Sequence, residues 1–585
     1  MRGLAVGLLP LLLQPVLVHI TAQRAPCSLR TSTEDAFTRD GDINIGAIFA
    51  VHFDNDYPRA DYTRPPSQAS CKTFVTRAFR YVQAVAFAVN EINQSPSILP
   101  NITLGFRVHD SCYDETKATK LAMCLLPGHK EQVPNFQCGS QAPLAAVIGD
   151  VYSSTTLAIA RILGLHRYPQ ISHGAHLQVL SDKIQFPSFM RTMPNADTVS
   201  VGVSLLVKHF GWTWIGLLSL EKDTTQSTML LVKQDILKTG ACIAFWEEIP
   251  ILYSTTKLRR LVEVLRKSSA TVVVTICPEP YLLPFMEEAA RKNITGVLWV
   301  ATHVWASSSL LSVVDYSTVL TGTIGFAIRR GVLSGLKEFL YNLHPLRNPE
   351  DHFTKEFWEV AFSCTWPEGS TNSSSFTDEG YDRKQLCTGS ENLLGLKSYV
   401  LEVNNFRLTN NVYNAIYATT HALHNLLSCL PGKGPFVNGT CATIHDFRPW
   451  QLLHYLRKVH FRNAEGDEVY FNENGNPPPR FDILNWQRQE DGYIQHVKVG
   501  TFDFSAPQGR QFIFNESALV WNKGVAQVPV SVCSASCLEG YRKAAREGQA
   551  SCCYDCVPCS EQEISNHTGV QYLYLSQEGV QCVTE

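Results

Sequence analysis

The chain has 585 residues, with 50 Lys and Arg against 53 Asp and Glu, for a formal charge of −3. That length exceeds what one hydrophobic core supports, so two or three domains are expected. A near-neutral balance without a long basic run excludes nucleic acid and an anionic membrane surface as partners, and 45% hydrophobic residues exclude a disordered chain.

At the start, Arg2 precedes the apolar stretch LAVGLLPLLLQPVLV, broken by Pro10 and Pro15, and small residues follow at Thr21 and Ala22. Residues 1–22 therefore read as a secretory signal peptide, too short and too interrupted to span a bilayer. No later apolar run reaches the roughly 18 residues a span needs, so the polypeptide as given reads as soluble. The 18 cysteines suit an oxidising exterior. So do six Asn-x-Ser/Thr acceptors at Asn101, Asn293, Asn372, Asn438, Asn515 and Asn566, with a poorer seventh at Asn93, where Pro96 follows Ser95.

From residue 43 onward, short apolar runs alternate with amphipathic stretches. INIGAIFAV (43–51) predicts a strand, and Ala78, Val82, Val85, Val89 and Ile92 step at helical spacing between Phe74 and Ile92. LAAVIG (144–149) is a fully apolar strand, SSTTLAIARILGL (153–165) a helix and PQIS (169–172) a strand. WTWIGLLSL (212–220), TVVVTI (271–276) and VLWVAT (297–302) are further strands, and VYNAIYATTHALHNLL and PWQLLHYLRKV are helices. Fully apolar strands alternating with helices imply parallel sheets covered on both faces. The fold class is α/β: two doubly wound lobes, followed by a small disulfide-rich module. We place the bilobed region at 23–528, the first lobe at about 40–205 and 325–465, the second at about 206–324 and 466–528, and a shortened cysteine-rich module at 529–585. Residues 365–408, rich in Ser, Asn, Gly and charge, are expected to form a surface loop pinned by Cys364 and Cys387, and 468–522 is strand-rich.

The most informative local feature is the strand-turn-helix at 146–165. Ligands of open α/β folds bind beyond the carboxyl ends of strands, and a helix start there suits a carboxylate. Ser153 and Ser154 open that helix; the more common use of such serines is a plain N-cap. Seven cysteines lie from Cys533 onward, at spacings that serve either zinc or disulfides, and secretion favours disulfides. The enzymatic signatures Gly-x-Ser-x-Gly, His-Glu-x-x-His, a phosphate-cradling loop with Lys and Gly-x-Gly-x-x-Gly are all absent from the sequence. His109, His173, His176 and His303 fall at strand ends, where a lone histidine is usually structural. The chain is not expected to be an enzyme.

Seven blocks in order carry a resemblance: PQISHGAHLQVLSDKIQFPSFMRTMP (169–194), HFGWTWIG (209–216), WASSSLL (305–311), TGTIGFAIRRG (321–331), FTKEFWEVAFSC (353–364), LCTGSEN (386–392) and CCYDCVPC (552–559). Together they resemble the ectodomain of a class C G protein-coupled receptor, of the calcium-sensing, vomeronasal type 2 or fish olfactory pheromone type. The resemblance implies a two-lobed Venus-flytrap that closes on a small-molecule or peptide ligand. It also implies a homo- or heterodimer with a class C receptor chain, and a cysteine-rich module that relays closure to a membrane domain. A G protein would be reached only through that membrane domain, which this chain lacks. No cofactor is expected, with room left for bound calcium. The expected location is the extracellular side of the plasma membrane, or secretion if the chain ends as given. The alternative function is a shortened secreted binding or decoy protein; a clamshell of the natriuretic-peptide-receptor kind fits the tail less well.

By the same resemblance Ser153 and Arg77 meet a ligand carboxylate, Tyr81 is a cleft aromatic and Gly174 a backbone contact. His176, Thr224 and His303 stand where relatives carry other polar groups, and Ala196 stands where they carry an acid, with Asp197 displaced by one. Two histidines and an alanine recognise an ammonium poorly, so this cleft is expected not to take a plain α-amino acid in the usual way. A peptide, an acidic ligand, another odorant or a degenerate cleft remain open. The resemblance pairs Cys71 with Cys112, Cys364 with Cys387, Cys429 with Cys441 and Cys242 with Cys552. It puts Cys138 in an intersubunit bridge, with Cys124–Cys138 as the competing pair, and leaves Cys277 a buried free thiol.

Overall fold

The computed structural model describes residues 36–53, 55–56, 63, 70–129, 133–135, 142–367, 385–396, 398–522, 527–559, 563–564, 573–576 and 579–582. The signal-peptide assignment, Cys138, Asn372 and Asn566 lie outside them.

Two sheets organise the chain. The first has six strands in the order Ala36–Arg39, Leu104–Asp110, Ile43–Phe49, Leu144–Gly149, Gln170–Ser172 and Phe189–Arg191. All its pairings are parallel except that of the short edge strand Ala36–Arg39. Every residue of Ile43–Phe49 and Leu144–Gly149 is buried, because helices cover both faces. On one face Thr76–Gln94 and Arg407–Leu427 pack with Pro449–Leu456; on the other lie Glu115–Leu125 and Ser153–Leu165. Thr76–Gln94 begins two residues after the expected Phe74, and Arg407–Leu427 begins five before the expected Val412.

The second sheet has eight strands: Cys242–Ile249, Trp214–Leu220, Val272–Ile276, Leu298–Ala301 and Ile324–Ala327 run parallel, then Arg480–Arg488, Ile494–Asp503 and Phe512–Phe514 add antiparallel strands. One face packs Trp299, Trp305 and Trp486 under the helices Thr255–Lys267 and Glu279–Arg291. The other packs Ala196–His209 and Asp223–Lys238 over Val272, Val274 and Phe326. Each fully buried Val, Leu or Phe of these layers contributes about 1.5–3 kcal/mol relative to exposure.

The lobe boundaries differ from those drawn on the sequence. Met190 belongs to the first core and Met193 to the second; Ile328 closes the second and Leu333 reopens the first; Phe471 is still in the first and Phe481 in the second. The helix Ala196–His209 and the strand Ile324–Ala327 therefore belong to the second lobe, and the hairpin His460–Arg462 with Glu468–Tyr470 to the first. The apolar pattern of these elements is the same in either lobe, and only strand pairing assigns them.

The segment 365–408 is corrected in part. Leu393, Leu401, Val403 and Phe406 are buried in the first core; a 3-10 turn Leu393–Gly395 carries the first and a short helix Ser398–Leu401 the second. Its polar composition hides these few anchors. Cys71–Cys112, Cys242–Cys552, Cys364–Cys387, Cys429–Cys441, Cys533–Cys553 and Cys537–Cys556 are disulfides, so the five tail cysteines among them hold no zinc. Cys277 is a buried free thiol, which burial pushes well above the usual thiol pKa. Asn101, Asn293, Asn438 and Asn515 are exposed, whereas the Asn93 amide exchanges hydrogen bonds of 3.0 and 2.8 Å with the Leu104 backbone. No helix among the described residues is long and apolar enough to cross a membrane.

The tail docks on the second lobe. Thr213 and Trp214 both donate to the Ser531 carbonyl at 2.9 and 3.0 Å, the Trp212 indole donates to the Pro529 carbonyl at 2.8 Å, and Cys242–Cys552 closes the junction. Replacing both Cys242 and Cys552 by serine is expected to leave the two lobes folded, to cost about 2–4 kcal/mol at the junction and to speed tryptic cleavage at Arg542, Lys543 and Arg546. Limited proteolysis read by mass spectrometry checks this, and unchanged cleavage would mean that the 529–531 backbone bonds suffice.

Candidate functional site: a cleft between the lobes

The carboxyl ends of strands from both sheets face one cavity of about 900 Å³. On the first lobe its floor is the turn after Leu144–Gly149. Gly149 sits at φ +130, where a Cβ would lie 2.0 Å from the Ile48 carbonyl oxygen, so only glycine fits. Asp150 follows, fully buried. It accepts from the Ala50 amide at 3.2 Å, the Val151 amide at 2.5 Å, the Ser111 hydroxyl at 2.8 Å and the Thr155 hydroxyl at 2.9 Å. Burial raises this carboxyl and the four hydrogen bonds pull it back, leaving it at about 6. Asp150 thus ties the ends of two strands to the helix that starts at Ser153.

All eight ligand-site candidates line the cavity: Arg77, Tyr81, Ser153, Ser154, Gly174 and His176 from the first lobe, and Thr224 and His303 from the second. The N-cap of Ser153–Leu165 is Tyr152, not a serine, and it makes no side-chain cap. The Ser153 hydroxyl accepts from the His176 and Leu177 amides, both at 3.2 Å, and its proton remains to donate. Gly174 is a close-approach position: a Cβ would stand 2.8 Å from the Val151 carbonyl oxygen. The Tyr81 ring packs edge-on to Phe49 and His173, and its buried hydroxyl has no partner.

Arg77 is engaged across the cleft. It meets Glu279 at 3.2 Å and donates to the Ser307 carbonyl at 3.0 Å, while the Ser308 hydroxyl donates to the other Glu279 oxygen at 2.6 Å. Burial opposes the Arg77 charge, but Glu279 and Glu402 outweigh it and hold the guanidinium above its usual pKa. His176 and His303 face each other from opposite lobes, ring centroids 4.5 Å apart. Burial keeps both neutral, with His176 pushed down to about 4 and His303 well below the usual value. Asp197 does not line the cavity; burial and neighbouring Asp235 raise its pKa in the first turn of Ala196–His209.

Sequence reasoning missed Glu279 and an aromatic collar. Phe53 lies 4.7 Å from Tyr281 across the lobes, Tyr113 packs on Tyr152 at 4.4 Å, and the Lys222 ammonium sits 4.2 Å over the Tyr113 ring. Glu279 had a usable signal: it stands three residues past the end of the strand TVVVTI, beyond the carboxyl end where ligand groups of such folds gather. The collar had none, because its four rings come from four separate segments.

Among the described residues, His52, Asp110 and Cys112 form the one group with metal-like spacing. It is not ready for an ion, since Cys112 is in a disulfide and both His52 nitrogens contact carboxylates, Asp110 at 2.7 Å and Glu356 at 2.6 Å.

Comparison with known proteins places these features in context. The family described as "Receptor family ligand binding region" matches residues 81–489, and "Nine Cysteines Domain of family 3 GPCR" matches residues 528–579. The human extracellular calcium-sensing receptor is 35% identical over 550 residues, covering 91% of this chain and 51% of that protein. Human taste receptor type 1 member 1 is 30% identical over 90% of this chain and 59% of that protein. Mouse vomeronasal type-2 receptor 26 is 27% identical over 94% and 64%. The chain thus spans about half the length of the calcium-sensing receptor.

His52 carries a pH signature. Burial opposes its charge, but the hydrogen bonds to Asp110 and Glu356 prevail and raise it to about 9. A pKa raised on folding stabilises fully below the unfolded value near 6.5 and is lost as pH rises through the folded one. Thermal stability is therefore expected to fall between pH 6.5 and about 9 more steeply in the wild type than in His52→Gln. Melting curves across that range check it; parallel slopes would contradict it.

Proposed function

This chain belongs to the class C G protein-coupled receptor family, in its ligand-binding region and nine-cysteine module, and from that premise we propose that it senses an extracellular molecule by closing two lobes over it. The cavity of about 900 Å³ between the carboxyl ends of two parallel sheets carries the proposal. Its walls belong to two lobes with separate cores, so a ligand touching both favours the closed arrangement by its differential affinity for it.

The structure of the junction supports a relay. A second lobe that moves takes residues 529–531 and Cys552 with it, because its strand starts at Trp214 and Cys242 are bonded to them. Transfer to a membrane domain and G protein, placement at the extracellular face of the plasma membrane, and pairing with another class C chain complete the proposal. The 35% identity to a calcium-sensing receptor also supports proposing bound calcium, which calorimetric titration with calcium chloride tests.

The secreted ectodomain is expected to be stabilised by at least one member of a library of amino acids, short peptides and neutral odorants. Stabilisation at about 100 times the dissociation constant is roughly 2.7 kcal/mol, readable by melting. Small-angle scattering should show a smaller radius with that ligand. A library-wide absence of both effects would sink the sensor assignment.

A further inference from the structure

The charge balance of the cleft wall narrows what it accepts. Among the described residues lining the cavity, Arg77 and Glu279 are the two with formal charge, and they pair with each other at 3.2 Å. Each is further satisfied by the protein itself, Arg77 by the Ser307 carbonyl and Glu279 by the Ser308 hydroxyl. One layer deeper, Arg80 pairs with Glu402. No cation among the described lining residues is left over for a ligand carboxylate, and no anion for an ammonium.

The other polar groups facing the cavity are neutral. The Tyr81 hydroxyl and both ring nitrogens of His303 are buried without a hydrogen-bond partner. Burial keeps the imidazoles of His176 and His303 uncharged at neutral pH. Unpaired buried polar atoms of this kind cost stability unless something completes them. Around them stand the rings of Phe53, Tyr113, Tyr152 and Tyr281.

We propose that the cleft takes a neutral, largely aromatic or aliphatic molecule bearing a hydrogen-bonding group, with Glu279 serving as a built-in substitute for a ligand carboxylate on Arg77. This deepens the sensor assignment and rests on it. A ligand carboxylate has to displace Glu279 and leave it buried without its cation, which a low-dielectric site opposes. A ligand ammonium has to sit beside the Arg77 guanidinium while competing for the same carboxylate. A neutral amide, alcohol or ketone meets neither obstacle: its polar group reaches Tyr81 and His303, and its apolar body fills the collar.

A matched series tests this: 3-phenylpropanamide, 3-phenylpropanoate, 3-phenylpropylamine and phenylalanine, titrated calorimetrically into the full secreted chain at neutral pH. The amide is expected to bind at least about tenfold more tightly than the three charged members. Glu279→Gln, which releases Arg77, is expected to shift the preference, raising propanoate affinity relative to the amide about tenfold. If that variant fails to be secreted, the wild-type series alone decides. Propanoate or phenylalanine binding as tightly as the amide overturns the ligand class and leaves the sensor assignment standing. Binding of none of the four also overturns the ligand class, whereas the sensor assignment falls only with the broader library.

Discussion

A parallel strand buried on both faces satisfies its backbone within the sheet and has to be followed by a helix that returns over one face. Every such strand therefore ends at the same edge, and the next helix starts there. Both sheets of this protein obey that rule, and the chain passes between them three times, near residues 191, 330 and 475. The two carboxyl edges consequently face one another. The cavity, the helix start at Ser153 and the acid at Glu279 all follow from that placement.

Within the cavity, electrostatics depends on partners from opposite lobes. Arg77 begins a long helix of the first lobe, and Glu279 begins a helix of the second. Their pairing couples lobe closure to burial of two charges that stay buried only together. Exposed contacts such as Arg266 with Glu263, at 2.8 Å, add little by comparison, because water screens them. The aromatic collar and the facing histidines add no further charge to the lining. The opposite end of the second sheet is bonded to the cysteine-rich module. The strands that line the cleft at one end are thus the strands that hold the tail at the other.

Much of this was legible along the chain. LAAVIG is apolar throughout, VVVTI is buried throughout with one threonine in it, and the helix over 153–165 matches its sequence pattern residue for residue. Burial on both faces writes itself into composition, so strand and helix identity survive without tertiary information. Candidates at strand ends were recoverable for the same reason, and Ser153, His176 and His303 do meet in one cavity. Less was legible where a few residues carry the burial. Leu393, Leu401 and Phe406 anchor a segment whose overall composition is that of a loop. Lobe membership of Ala196–His209 was equally hidden, since an amphipathic helix does not declare which sheet it covers.

The linear order of residues was enough to set the α/β class, the alternation of strands and helices, the disulfide-rich tail and the strand edge that lines the cavity. Those properties depend on local period and composition. The folded chain alone brought Glu279 to Arg77, turned the Ser153 hydroxyl toward the 176–177 backbone and set His176 against His303. Each of these is a meeting of distant segments. Whether a charge is free or already paired depends on distance in space, which neighbours in the chain do not encode.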